Sequence, residues 1–202
     1  KHFYEYAKKV VKKFKLKRKD KILDIACNDG TFLEFFKKMK FKNVVGIEPA
    51  RNLRQINKNK KIEINTLFFN RKNSEKIKKK YKNFKLITAN NVCAHTPDLN
   101  SFFSGIKNIL APKGIFIFEV SYLLDVYKKL TFDTIYHEHM SYHSLMPLID
   151  FVRHKKLEII DFERIDAQGG SIRIYVSHPN IFKVKKNKIK KQIDTERKHK
   201  LF

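Results

Sequence analysis

Two apolar runs, each closed by a polar turn, constrain this chain more than any other part of its sequence. The first contains Asp24 and leads into the turn Ala26-Cys-Asn-Asp-Gly30, and the second ends at Glu48. With the helix-like segment between them, they form half of a nucleotide-binding βαβ unit. Its turn offers backbone N–H groups, and its acid accepts hydrogen bonds from a ribose diol. Glu48 follows Gly30 by 18 residues, close to the ~20 expected. The two runs therefore predict a nucleoside site.

The net charge of +25 over 202 residues raises the question of a nucleic-acid partner. Residues 86–182 carry nine Lys or Arg and ten Asp or Glu, so the basic excess lies in the flanking segments. There it consists mostly of Lys on predicted outer helix faces, without the Arg forks and exposed aromatic side chains that are typical of nucleic-acid binders. The composition favours a solvated lysine-rich surface and disfavours a nucleic-acid partner.

Other global features are typical of a cytoplasmic protein. No apolar run approaches the ~20 residues needed to span a membrane, and no signal peptide is visible. Cys27 and Cys93 are isolated in the sequence, which predicts neither a disulfide framework nor a zinc knuckle. The chain begins at Lys1 without an initiating Met and ends in a charged segment. We therefore expect a piece of a longer protein.

Strand and helix patterns alternate five times along the first part of the chain. The predicted strands are residues 22–26, 43–48, 61–65, 86–89 and 115–120, the last introduced by a turn at 112–114. The predicted helices are residues 2–16, 31–39, 50–57, 72–81 and 99–110. Thr31 as N-cap with Glu34 three residues later predicts a capping box. After an irregular stretch at 121–141 come a helix at 144–154 and strands at 157–165 and 171–178, which a turn at 168–170 joins as a hairpin.

This order predicts an α/β fold with a Rossmann-like, seven-stranded, mostly parallel sheet that carries a terminal antiparallel hairpin strand and helices on both faces. Class I S-adenosylmethionine (SAM) methyltransferases are built in this way, whereas dehydrogenases usually keep a parallel sixth strand. We expect a methyltransferase core over residues 1–180. Residues 181–202 are expected to form a basic linker or helix that leads into a missing C-terminal region.

The candidate cofactor residues lie in the first turn and at strand ends. Ala26 and Asn28 stand where a dinucleotide site usually repeats glycine, and Asn tolerates a positive φ better than most residues. The missing glycines disfavour a dinucleotide, whose pyrophosphate needs close backbone approach, and they suit SAM, which has no phosphate. Similar turns occur in α/β proteins without a nucleotide, but the terminal hairpin favours SAM. The predicted cofactor-binding residues are Asp24, Cys27, Asn28, Gly30, Glu48 and Asn90.

Residues 132–143, after the fifth strand, concentrate Tyr, His and Glu side chains. Proton abstraction next to a carbonyl needs a base poised near neutral pH, which His supplies. A Tyr hydroxyl can donate to the developing enolate oxygen, and a Glu can orient a His ring. Two other interpretations stay open. His137, His139 and His143 can hold a metal, although no firm zinc spacing is present, or they are surface residues of a loop.

Six segments together resemble the sugar-nucleotide C-methyltransferase family, whose members include the deoxysugar C-3 methyltransferases. They are residues 22–32, 46–50, 89–98, 117–120, 132–144 and 169–173, and Phe132-Asp-Thr-Ile-Tyr-His-Glu-His139 is the most specific. The resemblance implies that SAM donates a methyl group to carbon 3 of a 4-keto deoxysugar carried on a nucleoside diphosphate. By the same resemblance, the base is His139, Tyr136 and Glu138 assist in the enolate region, and His95 lines the substrate pocket.

The chain departs from that family in three respects. The family's N-terminal cysteine-rich zinc region and its C-terminal domain are absent here, which is consistent with a fragment. Ala26 replaces a small Gly of the first motif. Basic surface near the active site can serve the diphosphate, and Arg173 is one candidate.

Three other functions remain to be weighed. A small-molecule O- or N-methyltransferase would use the same scaffold without needing a carbon base. A nucleic-acid methyltransferase is disfavoured, because Asn90-Asn-Val-Cys93 is not the Asn/Asp-Pro-Pro-aromatic motif that stacks a flipped base. A non-enzymatic nucleotide-binding module is disfavoured because Tyr136 and His139 are both present.

Overall fold

The computed structural model describes residues 2–53, 60–166 and 169–201. The strands are β1 Lys21–Ile25, β2 Asn43–Ile47, β3 Glu63–Asn65, β4 Phe84–Asn90, β5 Leu110–Ser121, β6 Glu158–Ile165 and β7 Ser171–Ser177. The helices are α1 His2–Lys13, α2 Thr31–Lys38, α3 Arg71–Tyr81, α4 Leu99–Ile109, α5 Leu123–Lys129, α6 Leu145–His154 and α7 Lys186–Lys198. Short 3₁₀ turns occur at Arg51–Leu53, Cys93–His95 and Phe132–Thr134.

The strands form one seven-stranded sheet in the order β3-β2-β1-β4-β5-β7-β6. β1 to β5 pair in parallel, and β7 is antiparallel to both of its neighbours. The predicted mostly parallel sheet with an antiparallel hairpin strand is confirmed. The chain order reverses direction between β1 and β4, and ligands of open α/β sheets bind at the carboxyl ends of the strands beside such a point.

Two apolar clusters cover the two faces of the sheet, because successive strand side chains point to opposite faces. In β1, Ile22 belongs to one cluster, whereas Leu23 and Ile25 belong to the other. Helices α1 and α2 cover the first face through residues such as Val10 and Phe36. The opposite face carries buried residues of α3, α4, α6 and α7. The strands are held on both sides, which fixes the positions of their carboxyl ends.

The start of α2 differs from the predicted capping box. Its N-cap is Gly30, with φ 72° and no side-chain cap, rather than Thr31. Thr31 instead donates from its N–H and its hydroxyl to the Asp29 carboxylate, at 3.0 and 2.6 Å. The Glu34 carboxylate pairs with Lys38 at 2.8 Å. The capping-box prediction was therefore wrong, because Asp29 accepts the Thr31 N–H and the Gly30 carbonyl accepts the Glu34 N–H at 2.9 Å.

Two further segments differ from prediction, and one lies partly outside the described residues. β5 begins at Leu110, so the turn expected at 112–114 lies within the strand, beside a register shift against β4. Helix α5 lies in the stretch expected to be irregular, with Leu124 and Asp125 buried. The helix expected at 50–57 begins as the 3₁₀ turn Arg51–Leu53, and its remainder is outside the described residues. Among the helices in the described ranges, none has the length and apolar character required to cross a membrane.

Candidate active site

The turn after β1 is a run of alternating left-handed residues. Ala26, Asn28 and Gly30 have φ values of 54°, 51° and 72°. Such values are costly for residues other than glycine and are held by their surroundings. Lys60 fixes the far side of the turn, because its ammonium donates to the carbonyl and the carboxylate of Asp29 at 2.8 and 3.0 Å. The turn thus adopts a glycine-like path with one glycine.

Glu48 is buried at the carboxyl end of β2 and faces this turn. One carboxylate oxygen accepts the N–H of Asn28 at 2.9 Å, and the other accepts the N–H of Ala50 at 2.9 Å. Each carboxylate oxygen has a second lone pair, so Glu48 can still accept hydrogen bonds from a ligand. The acid is therefore both a brace for the turn and a ready acceptor at the strand edge.

Asp24 lies under the turn, in the middle of the sheet. Its carboxylate accepts a 2.6 Å hydrogen bond from the Thr88 hydroxyl on the adjacent strand β4. Burial raises the pKa of Asp24 to about 7, although the Thr88 hydrogen bond favours the charged form. Asp24 is consequently poised between its charged and neutral states near physiological pH.

The Cys27 side chain belongs to the core rather than to a ligand surface. It is buried against β2, where a Cβ on Gly46 would lie 2.5 Å from the Cys27 sulfur. Burial raises the pKa of the Cys27 thiol well above its ordinary value. Only the backbone of Cys27 in the turn is therefore available to a cofactor. Gly46 has no side chain, which leaves space for the Cys27 sulfur.

Asn90, at the end of β4, carries an unusual group. Within the described ranges, its side-chain Oδ1 is buried without a hydrogen-bond partner. A buried carbonyl oxygen without a donor costs about 1–3 kcal/mol. A ligand that brings an N–H or O–H donor to this strand edge would remove that cost.

A cleft of about 510 Å³ opens beside these residues. Ile25, Ala26, Ile47 and Pro49 form one side of it, next to Asp24 and Glu48 along the chain. The opposite side comes from the segments after β3 and β4. These lining residues are Leu67, Phe68, Phe69, Asn70, Asn91, Val92, His95, Thr96, Pro97, Asp98, Ser101 and Phe102. The volume and mostly apolar lining are typical of small-ligand sites, and the cleft is lined by the chain neighbours of Asp24 and Glu48 rather than by these acids themselves.

A second cleft, of about 250 Å³, adjoins the first. Asn91 and His95 line both clefts, so they form the wall between them. The second cleft is otherwise lined by Ala94, Val120, Ser121, Asp133, Thr134, Tyr136 and His139. Asp133, Tyr136 and His139 come from the segment 132–143 that the sequence singled out, and His95 comes from the turn after β4.

One ring nitrogen of His139 faces the Thr134 backbone carbonyl, and the other faces the Tyr136 hydroxyl. Its Nδ1 lies 2.7 Å from the Thr134 carbonyl oxygen. That oxygen can only accept, so Nδ1 carries the proton and Nε2 of the neutral ring has a free lone pair. The Tyr136 hydroxyl lies 3.1 Å from Nε2 and donates to it. The arrangement presents a basic nitrogen and a hydroxyl donor to one cleft.

Glu138 does not orient His139 in this structure. Its carboxylate is exposed and lies 3.9 Å from His137. The Glu138 backbone carbonyl instead accepts from His95 Nδ1 at 2.9 Å. The rings of His95 and His139 have centroids 4.8 Å apart. Backbone carbonyls therefore do the orienting that the sequence interpretation gave to a Glu side chain.

His143 is separate from this pair. It is buried, its Nε2 lies 3.0 Å from the Ser141 hydroxyl, and a backbone hydrogen bond links it to Cys93. Burial lowers the pKa of His143 to about 4, so it is neutral at physiological pH. Among the described residues, no group of three His, Cys, Asp or Glu side chains is arranged to hold a metal ion. His143 acts as a core residue of the loop.

Arg173 cannot serve as the diphosphate ligand that the sequence proposed. It is 3% exposed, and its Nε and Nη2 donate to the Glu119 carboxylate at 3.0 and 2.7 Å. Its guanidinium lies 3.4 Å from the centroid of the Tyr6 ring. The prediction was wrong because the Arg173 guanidinium forms a buried ion pair with Glu119 near the end of β5.

The structure thus gathers the predicted residues into two neighbouring sets. Asp24, Asn28, Gly30, Glu48 and Asn90 surround the β1 and β4 strand ends, and His95, Tyr136 and His139 line the second cleft. The sequence did not identify Pro49, Asn91 and the loop after β3 as lining residues of the first cleft. The apolar triplet Leu67-Phe-Phe69 is a pattern that could have indicated this loop. The sequence also did not indicate Thr88 or the Thr134 carbonyl, and a backbone acceptor leaves no signal in a sequence.

Comparison with known sequences identifies the family. A family described as methyltransferase domain matches residues 1–160. The C-methyltransferase NovU of Streptomyces niveus is 34% identical over 158 residues. That match covers 78% of this chain and 37% of NovU, so the chain spans well under half the length of this relative.

Solved structures share the fold at low sequence identity. A SAM-dependent methyltransferase of Clostridium acetobutylicum has a TM-score of 0.64 and 17% identity, covering 87% of this chain and 90% of that one. A Haloferax volcanii complex of the Trm112 methyltransferase activator and a putative methyltransferase has a TM-score of 0.67 and 13% identity. The match covers 89% of this chain and 91% of that one. At such identities these neighbours support the fold alone.

Proposed function

The chain belongs to the methyltransferase domain family, and from that premise we propose a C-methyltransferase acting beside the ketone of a nucleotide-linked 4-keto deoxysugar. Family and fold imply SAM as the cofactor. The observation that carries the proposal is the Tyr136–His139 pair, a hydroxyl donor and a basic nitrogen 3.1 Å apart in the cleft next to the candidate cofactor site.

The residues present suit SAM. Glu48 keeps lone pairs for the two ribose hydroxyls, and hydrogen bonds to a charged carboxylate are stronger than those between neutral groups. The buried Oδ1 of Asn90 suits an ammonium or amine donor of the methionine part. The apolar cleft beside Pro49 and Leu67 suits a flat adenine ring. No anion site is required at the turn, since SAM has no phosphate.

The second cleft suits proton removal from carbon. In the free protein the Tyr136 hydroxyl donates to His139 Nε2. A ketone oxygen in the cleft would compete for that hydroxyl, and Tyr136 would then leave the Nε2 lone pair free for the neighbouring C–H proton. His139 takes this proton, the C–H electron pair moves into the enolate, and Tyr136 stabilises the enolate oxygen. SAM, when bound, supplies the methyl group that the carbon accepts and leaves as S-adenosylhomocysteine.

The shared wall connects the two sites. Asn91 and His95 line both clefts, so a methyl group at the end of the first cleft would face an acceptor in the second. The preference for carbon rests on the pairing of His139 with the Tyr136 hydroxyl, because enolate formation needs both a base for the C–H proton and a donor to the ketone oxygen. The nucleotide-sugar acceptor rests on the resemblance of residues 132–144, whereas the match to the C-methyltransferase NovU supports transfer to carbon.

Isotope labelling tests the proposal. The protein is incubated with SAM carrying a ¹³C-methyl group and nucleoside-diphosphate 4-keto deoxysugars, and the product is examined by ¹³C NMR. We expect the new ¹³C signal at the chemical shift of a methyl group that is bonded to carbon. A methoxy or N-methyl shift would establish the O- or N-methyltransferase alternative, and no product from any such sugar would refute the acceptor class.

A further inference from the structure

Helix α7 lies beyond residues 1–160, the segment that the methyltransferase family matches. It is strongly basic, and the sequence predicted a basic linker or helix in this segment. One of its residues, Glu196, is nevertheless 0% exposed. A buried carboxylate is tolerated only where hydrogen bonds replace its hydration. The partners of Glu196 therefore indicate what this helix does.

The three partners lie at the two ends of the segment that carries Tyr136 and His139. Glu196 Oε1 accepts the Tyr122 hydroxyl at 2.5 Å and the Leu145 N–H at 2.7 Å. Oε2 accepts the Met146 N–H at 3.1 Å. Tyr122 immediately precedes α5, and Leu145 and Met146 open α6. One side chain thus bridges residues that stand on either side of the segment 123–144, which we term the catalytic loop.

Glu196 also replaces a missing helix cap. Ser144, the N-cap of α6, makes no side-chain cap hydrogen bond. The first N–H groups of a helix need acceptors, and a negative charge there interacts favourably with the helix dipole. Glu196 supplies both from another helix. Gln192, one turn earlier in α7, donates to the Tyr122 oxygen at 2.7 Å and completes the connection.

The base of the catalytic loop is closed at the same place. Tyr122 and His143 form a parallel bridge, and the Leu123 N–H donates to the His143 carbonyl at 2.9 Å. Beyond this closure, the loop is fastened by the Met140 N–H to the Ala94 carbonyl and by His95 to the Glu138 carbonyl. Leu124 packs in the core near the base of the loop, whereas Phe132 and Ile135 are exposed, so packing contributes little to the position of the part that carries Tyr136 and His139.

We propose that Glu196 is a positioning residue that clamps the base of the catalytic loop and thereby places Tyr136 and His139 against the acceptor. The inference rests on the proposed role of those two residues. It makes α7 part of the active domain. Misplacement of reacting groups by ~1 Å costs on the order of 100-fold in rate, so loss of the clamp acts on catalysis rather than on cofactor affinity.

The test compares Glu196→Gln with Tyr122→Phe in the full 202-residue chain. Glu196→Gln keeps the side-chain shape but turns one acceptor into a donor that faces an N–H group. Tyr122→Phe removes one partner and leaves the two helix N–H contacts. The matched control is Asp194→Asn, since Asp194 is exposed on the same helix and lies 3.9 Å from Arg197.

Hydrogen–deuterium exchange and S-adenosylhomocysteine calorimetry report on the clamp without an acceptor. In Glu196→Gln we expect faster exchange confined to residues 123–146, with the affinity within about 2-fold of the parent. Tyr122→Phe should show a smaller increase in the same segment, and Asp194→Asn none. Unchanged exchange in the catalytic loop, or an equal rise across β1 to β5, would overturn the proposal.

Turnover separates this inference from the proposed function. With a nucleoside-diphosphate 4-keto deoxysugar, Glu196→Gln should lower kcat by roughly 10- to 100-fold and change the KM for SAM little. Undiminished kcat in this variant refutes the clamp while the function stands. If the parent chain itself does not methylate the sugar, the proposed function fails, and the exchange result alone decides whether Glu196 holds the loop.

Discussion

The two halves of the candidate site are built in different ways. On the cofactor side, Asp24, Glu48 and Asn90 sit at the ends of parallel strands that are covered on both faces. On the acceptor side, His139 and Tyr136 sit in a loop with exposed apolar side chains, and backbone carbonyls orient its imidazoles. The first half is fixed by the sheet and the second by a few hydrogen bonds at its base.

This difference predicts that the two halves can be damaged separately. Strand ends keep their positions as long as the sheet is folded, so substitutions there change ligand affinity. A loop held by few contacts has low local stability, so substitutions there change the chemistry while leaving the sheet intact.

The largest effect is expected at His139. Removing a general base costs typically 10²- to 10⁴-fold in rate, so His139→Ala should lower methyl transfer by that range while SAM affinity stays unchanged. His137→Ala is the matched control, because its side chain is 90% exposed and its ring makes an edge contact with Tyr136, with centroids 6.4 Å apart, rather than a hydrogen bond to it. Steady-state assays and calorimetry check both variants, and loss of SAM binding in His139→Ala would show that the halves are coupled.

Asp24 on the cofactor side and His143 on the acceptor side should change the free energy of unfolding in opposite directions as pH rises. The folded pKa of Asp24 is raised to about 7, so its contribution to the free energy of unfolding falls as pH rises from about 4 to 7. The folded pKa of His143 is lowered to about 4, so its contribution rises between about pH 4 and 6.5. At 1.36 kcal/mol per pKa unit, these contributions amount to about 4 kcal/mol for Asp24 and about 3 kcal/mol for His143.

Two variants separate these contributions in urea titrations across that pH range. Relative to the parent, Asp24→Asn should gain stability as pH rises, and His143→Gln should lose it. Parallel curves for the parent and Asp24→Asn would mean that Asp24 is not held protonated in the fold.

Glu48→Gln should weaken SAM binding by roughly 10- to 100-fold, since a hydrogen bond to a charged group contributes about 1.5–3 kcal/mol and 1.4 kcal/mol is tenfold in affinity. Glu63→Gln on the neighbouring strand changes an exposed ion pair with Lys80 and serves as the control. Calorimetry with SAM measures both, and equal affinity for Glu48→Gln and the parent would remove Glu48 from the cofactor site.

The smallest effect is expected at Asn90. Because its buried Oδ1 lacks a partner, Asn90→Ala removes an unsatisfied acceptor and should not lower the free energy of unfolding. SAM affinity should fall about 3- to 10-fold, the worth of one neutral hydrogen bond. Asn43→Ala, at the amino end of β2, is the control at the opposite edge of the sheet. A destabilised Asn90→Ala with normal affinity would make Asn90 structural.

The sequence predicted the cofactor half more completely than the acceptor half. The strands flanking Gly30 are short local apolar runs, so their positions and the acid at Glu48 follow from nearby residues. Helix α5 was missed because Leu124 becomes a core residue only when the sheet is assembled. Arg173 was misassigned because its partner Glu119 is 54 residues away. The Thr134 carbonyl and the contact of Glu196 with Tyr122 likewise depend on three-dimensional proximity.

The central claim is that His139 removes a proton from carbon in a cleft separate from the cofactor cleft. The most direct measurement is deuterium incorporation next to the ketone of a nucleoside-diphosphate 4-keto deoxysugar, in heavy water with S-adenosylhomocysteine in place of SAM. We predict exchange with the parent chain and its loss in His139→Ala. Methylation by the parent without such exchange in the parent, or undiminished exchange in His139→Ala, would contradict the claim.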